Sequence, residues 1–176
     1  MRLVIMLVML LAGCVPVLEV SYEEQRHAAD LVNQGTALLR QGALERAQAA
    51  FEVSRDFGGG AAALDGLGSV EFLKGCYRKA ERYFKLAMQE DPQYHHALGN
   101  LALLYEVTGR DEQAQRLFLE VLRKEPGNTG ARNNFAAYLY DHGQIHSARH
   151  ELLRAEAVAR HPVVKDNLIR IERTMR

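Results

Sequence analysis

The side chains able to do chemistry are few and scattered. His146 and His150 stand four residues apart with His142 just before them, a spacing that brings two imidazoles to one side of a helix and within reach of one metal ion. No third ligand stands at a matching interval, so the three are read as exposed polar residues with no metal among them. His95 and His96 open a predicted helix with no carboxylate nearby in sequence and are read as a surface pair. The acidic pairs Glu23-Glu24 and Asp111-Glu112 fall in or near first helical turns, where negative charge offsets the helix dipole. Adjacent carboxylates do not frame a pocket, so no acid-base pair is assigned. There is no glycine-rich phosphate loop, no His-Glu-x-x-His and no Gly-x-Ser-x-Gly; Gly66-Leu67-Gly68-Ser69 lacks the rest of any such motif. The reading is no enzyme, no cofactor and no small-molecule substrate.

The two cysteines belong to different parts of the chain. Met1 and Arg2 make a minimal positive start, residues 3–11 are an unbroken apolar run, and Leu11-Ala12-Gly13-Cys14 follows. That run is far below the roughly 20 residues of a permanent membrane span, but it suits the apolar region of a secretory leader. Leu-Ala-Gly-Cys resembles the lipobox of bacterial lipoproteins. The resemblance implies cleavage after residue 13, a diacylglyceryl group on the Cys14 thiol and often a further acyl chain, such as palmitate, on the new amine. Each buried methylene contributes about 0.8 kcal/mol, and two or more chains hold a protein on a membrane. Val15 stands where an Asp would, in that family, signal inner-membrane retention, which implies an outer-membrane anchor facing the periplasm. Cys76 is then the one thiol of the mature chain, with no intramolecular partner, and is read as a small core residue.

The elements that must position these side chains follow from a repeat. Gly42, Gly75, Gly109 and Gly143 recur at steps of 33, 34 and 34 residues. Ala47, Ala80, Ala114 and Ala148 follow each glycine by five, and Phe51, Phe84, Phe118 and Leu152 come four later, with Pro92 and Pro126 closing two units. Leu98, Leu101, Ala102 and Tyr105 lie at i, i+3, i+4 and i+7, as do Ala114, Leu117, Phe118 and Val121, so each segment is a helix with one apolar face. Gly109 sits between them where a helix end needs positive φ, and Asp111 is expected to cap the next helix. One such hairpin cannot cover both faces, so neighbours must stack. The chain's neutral formal charge leaves no clustered basic surface for nucleic acid.

This pattern resembles the tetratricopeptide-repeat (TPR) family over residues 28–161, best over 95–128. The resemblance implies an all-α right-handed superhelix of four hairpins, with units 28–60, 61–94, 95–128 and 129–161. The end units depart from the pattern: Gln34 replaces the leucines at 67 and 101, Gly58-Gly59-Gly60 replaces the proline, and Arg132 replaces a large apolar residue. After Pro162, which suits a first helical position, Val164, Leu168 and Ile171 make an apolar stripe ringed by charge, the composition of a capping helix over 162–176. Residues 14–27 are read as lipidated N-terminus and tether.

The sixth positions of the four units are Asn33, Gly66, Asn100 and Asn134. In the TPR family this position lines the concave face, and in some members asparagines there hold a bound peptide backbone. An amide carries both donor and acceptor and so pairs with any peptide unit. The same resemblance puts Leu103 and Tyr140 near that row, as apolar pockets. The function implied is an outer-membrane protein-binding scaffold that helps assemble or localise an envelope machine such as a pilus or secretion complex. Asn133-Asn134-Phe135 and the tyrosines after it look most like the type IV pilus pilotins, with tight-adherence pilus assembly lipoproteins a second group. The alternatives are an adaptor for peptidoglycan-remodelling enzymes and a self-associating structural lipoprotein. The partners expected are a peptide segment of another envelope protein and, through Cys14, the membrane.

Overall fold

The computed structural model describes residues 21–176; the leader and Cys14 lie outside them. Among the described residues there are nine helices and no strand: α1 (Tyr22–Arg40), α2 (Leu44–Asp56), α3 (Gly60–Leu73), α4 (Tyr77–Glu90), α5 (His96–Val107), α6 (Asp111–Lys124), α7 (Thr129–Asp141), α8 (Ile145–Val158) and α9 (Pro162–Thr174). None is long and apolar enough to cross a membrane. The architecture is the expected all-α array of stacked helix pairs.

The four recurring glycines build four copies of one turn. Gly42, Gly75, Gly109 and Gly143 have φ of 73, 75, 71 and 74°. In each, the residue after the glycine donates its N–H five residues back: Ala43 to Leu38, Cys76 to Glu71, Arg110 to Tyr105 and Gln144 to Leu139. This is the Schellman end of a helix, which satisfies the last carbonyls and turns the chain back as a hairpin.

Packing follows the same register. Ala47, Ala80, Ala114 and Ala148 are wholly buried, and so, within 1%, are Phe51, Phe84, Phe118 and Leu152. Each alanine lets the paired helices close, and each large residue then fills the space beneath the neighbouring first helix. Gly35, Gly66 and Gly68 show how tightly: an added methyl would overlap the ring of Phe51 at the first two and of Phe84 at the third. Gly66 thus interrupts the asparagine row because Phe51 lies over it.

Successive first helices touch, α1 to α3, α3 to α5 and α5 to α7, whereas successive second helices do not approach to that degree. A stack joined on one side curves toward that side, so the first helices form its inner face. At the C-terminal end α9 packs by Val164, Leu168 and Ile171, as expected. Its outer side carries Lys165, Ile169 and Glu172 in the register of the buried Leu98, Ala102 and Tyr105.

Several expectations change. α1 starts at Tyr22, with Ser21 as N-cap and Glu24 completing a capping box, so the last part of the segment read as tether is helical. Cys76 is exposed at the start of α4 and is no core residue: it follows the turn glycine, at the register of Ala43, Arg110 and Gln144, outside both helix faces. Asp111 does not cap α6; Arg110 holds the cap position without a side-chain bond, because the Schellman turn has already set that backbone, and Asp111 lies in the first turn. Arg132 is buried, its guanidinium paired with Glu151 and donating to the Pro126 carbonyl at 2.7 Å. It ties the loop before α7 to α8, where earlier units use Leu64 and Leu98.

Candidate functional site: the inner face of the array

The inner face is where side chains of successive first helices meet across a seam. Asn100 on α5 donates through Nδ2 to Asp65 Oδ1 on α3 at 2.8 Å. Asn167 on α9 makes the equivalent bond to Asn133 on α7, also at 2.8 Å. In both, the sixth residue of one unit reaches back to the fifth residue of the unit before it. Between α5 and α7 the fifth-position residue is Gly99, which has no side chain to bond the sixth-position Asn134. A Cβ built on Gly99 meets nothing within 4 Å.

The filled seam is electrostatically loaded. Asp65 is 8% exposed, and burial pushes its carboxyl up to about 6, against the opposing bonds from Asn100 and Tyr94 and the charge of His96. Tyr94, on the loop before α5, donates its hydroxyl to Asp65 Oδ2 at 3.3 Å and is itself held protonated by burial and the Asp65 charge. At the far end of the open seam, Glu106 is raised by burial, then by the charge of Asp141 and more weakly of Asp111, with His142 opposing. His142 lies against Tyr138, bonds the Tyr138 carbonyl through Nδ1 at 2.8 Å and is raised chiefly by that bond.

The sequence-predicted groove residues fall out unequally. Asn33 is exposed on α1, and Asn100 and Asn134 are half-buried. Asn100 already spends one amide hydrogen on Asp65, a partner that spacing alone does not reveal because it lies 35 residues away. Leu103 is half-buried, packed on the main core. Tyr140 meets α9: its hydroxyl lies 3.1 Å from Thr174 Oγ1, and Arg170 sits over its ring at 5.2 Å. The reading of His95-His96 as a surface pair is corrected for His95, whose Nδ1 is 3.0 Å from Glu125 at the end of α6. Repeat closure brings that carboxylate back from the next loop. His142, His146 and His150 do not converge, and no three metal-ligating side chains cluster among the described residues. Missed altogether was Asp65, whose signal was a carboxylate among the buried apolar residues of α3, a helix that also buries Glu71.

Comparison with known proteins fits this geometry. Residues 72–123 match the tetratricopeptide repeat family, and no curated protein matches the chain. Among solved structures, PilF of Pseudomonas aeruginosa superposes with a TM-score of 0.70 at 16% identity, covering 87% of this chain and 71% of that one. A TPR protein of Thermus thermophilus gives 0.74 at 19% identity, covering 84% and 82%. YrrB, described as a TPR protein with an unusual peptide-binding site, gives 0.53 at 20% identity, covering 78% and 71%. At these identities the likeness is one of fold. A matched repeat segment at residues 72–123 thus lies inside an array whose turns and register are uniform, and the fold is that of stacked TPR-like helix pairs.

Proposed function

We propose that this protein is a lipid-anchored scaffold on the periplasmic face of the outer membrane, whose inner groove holds a segment of another envelope protein during assembly of a pilus or secretion machine. The observation that carries the reading is the inner face itself. On the first helices Asn134 is half-buried, Asn100 keeps its amide oxygen and second amide hydrogen beyond the bond to Asp65, and Leu103 and Val107, the latter 53% exposed, add apolar surface. Amides supply backbone affinity and apolar surface supplies selectivity. Asn33 extends the amide row toward α1, and Tyr140 closes it against α9. The fold likeness to PilF supports a pilus system, and the Leu-Ala-Gly-Cys leader supports the anchor at Cys14.

The test is a photo-reactive side chain installed at Leu103 on the inner face or at Leu119 on the outer face, which is 50% exposed. Leu103 should capture one envelope assembly protein in cells and Leu119 should not. Equal capture at both positions, or none at Leu103, rejects the groove. Separately, Cys14→Ser should release the protein from the membrane fraction or leave it uncleaved, and unchanged fractionation with unchanged mature mass rejects the anchor.

A further inference from the structure

The outer side of α9 carries a charge pattern that complements its own reverse. Lys165, Asp166, Ile169, Glu172 and Arg173 fall at i, i+1, i+4, i+7 and i+8, so they share one side of the helix. Ile169 is 38% exposed, and with Leu153 and Ala157 of α8 it gives the groove beside α9 an apolar lining. Lys165, Asp166 and Arg173 enter no ion pair or side-chain hydrogen bond among the described residues. Glu172 meets Arg149 through Oε1 alone. In α1 and α3 the position of Ile169 is held by Gly35 and Gly68, and there the rings of Phe51 and Phe84 arrive from an antiparallel second helix. The described residues place no such helix on α9.

We infer that this side is covered by α9 of a second copy of the chain, running antiparallel about a two-fold axis that passes through Ile169. Charge sets the register. Lys165 lies four residues before Ile169 and Glu172 three after it, so reversal brings Lys165 against the second copy's Glu172 on one flank. On the other flank Asp166, three before, comes against the second copy's Arg173, four after. The two-fold axis makes each pair twice. A parallel copy would instead set Lys165 on Lys165 and Arg173 on Arg173, and like charges facing across an interface oppose association. On the axis Ile169 meets its counterpart, and Leu153 widens the apolar patch on either side. Such a contact uses one surface twice and closes as a dimer. It does not use the inner face, so it holds or fails independently of the groove.

The experiment measures the mass of the full chain by sedimentation equilibrium in density-matched detergent. Wild type should be a dimer at micromolar concentration. Asp166→Arg alone and Arg173→Asp alone should each weaken association at least about tenfold, since each change sets like charges together twice. Mixing the two single variants should restore a dimer, because each then supplies the charge that the other lacks. Neither residue has an ion-pair partner within its own chain, so both variants should keep the wild-type melting midpoint. In membranes, Ile169→Cys should cross-link to a second copy of itself with a short bismaleimide. Wild type, whose Cys76 is exposed at the start of α4, should not. A monomeric wild type, a dimer unmoved by the single changes, a mixture that stays monomeric, or equal cross-linking of wild type through Cys76 overturns the proposal.

Discussion

Two seams of one inner face, α3–α5 and α5–α7, use the same register for opposite ends. In the first, Asp65, Asn100 and Tyr94 close on one another and the carboxylate is buried. In the second, Gly99 leaves Asn134 without the equivalent side chain, and the far end is acidic. A satisfied buried polar network rigidifies and specifies a structure, whereas an amide left at an open seam is free to meet a partner. The contrast teaches that an asparagine at a repeat position is not by itself a binding residue: what stands at the fifth position of the preceding unit determines whether the amide is already used.

The largest expected effect removes what backs the open seam. Phe118 is fully buried on α6 and packs against Phe135 and Tyr138 of α7. Phe118→Ala should cost about 3–5 kcal/mol, whereas Glu112→Ala, on the exposed first turn of the same helix, should stay within about 0.5 kcal/mol. Equal shifts in urea midpoint would show that the packing register is wrong.

Next is a pH dependence that belongs to the filled seam alone. Asp65 is pushed up to about 6 in the folded protein, above its unfolded value, so the folded state binds the extra proton. Its contribution is fully present below pH 4 and is lost as pH rises through about 6, on the order of 3 kcal/mol in all. Asp65→Asn should flatten the unfolding free energy between pH 4 and 7 relative to wild type. An unchanged slope would place the carboxylate in solvent.

A smaller difference compares the two amides directly. Asn100→Ala deprives a buried carboxylate of a donor and should cost about 1–3 kcal/mol, while Asn134→Ala, whose fifth-position counterpart Gly99 has no side chain, should cost only a few tenths. Thermal melts of the two variants, compared at pH 7, sharpen or erase the distinction between the seams.

The smallest effect has the opposite sign. Gly99 is helical, and a methyl there meets nothing, so Gly99→Ala should stabilise by about 0.5–1 kcal/mol. Gly66→Ala, whose methyl would overlap Phe51, should destabilise instead. The same melt, run on both, separates an open seam from a packed one.

Much of the fold was legible before any coordinates. Gly42, Gly75, Gly109 and Gly143 can be read as turns because positive φ is a local demand that glycine meets, and Phe51, Phe84 and Phe118 as core because helical period is local too. Where the reading failed, the cause lay across units. His95 looked alone until Glu125 came back from the next loop, and Cys76 looked small and buried until the turn placed it outside both helix faces. Arg132 looked like a loss of core until Glu151 and the Pro126 carbonyl enclosed it.

The sequence by itself therefore determined the hairpins, their number, their spacing and the residues that fill them, since these depend on backbone geometry and on apolar period within about 34 residues. Only the tertiary structure decided which polar side chains on the inner face are used and which are open. That choice depends on pairs such as Asp65 with Asn100, 35 residues apart, and on what is missing at Gly99. Hydrogen bonding is short-ranged and directional, so it is settled by side chains brought together through stacking, and no local pattern records it.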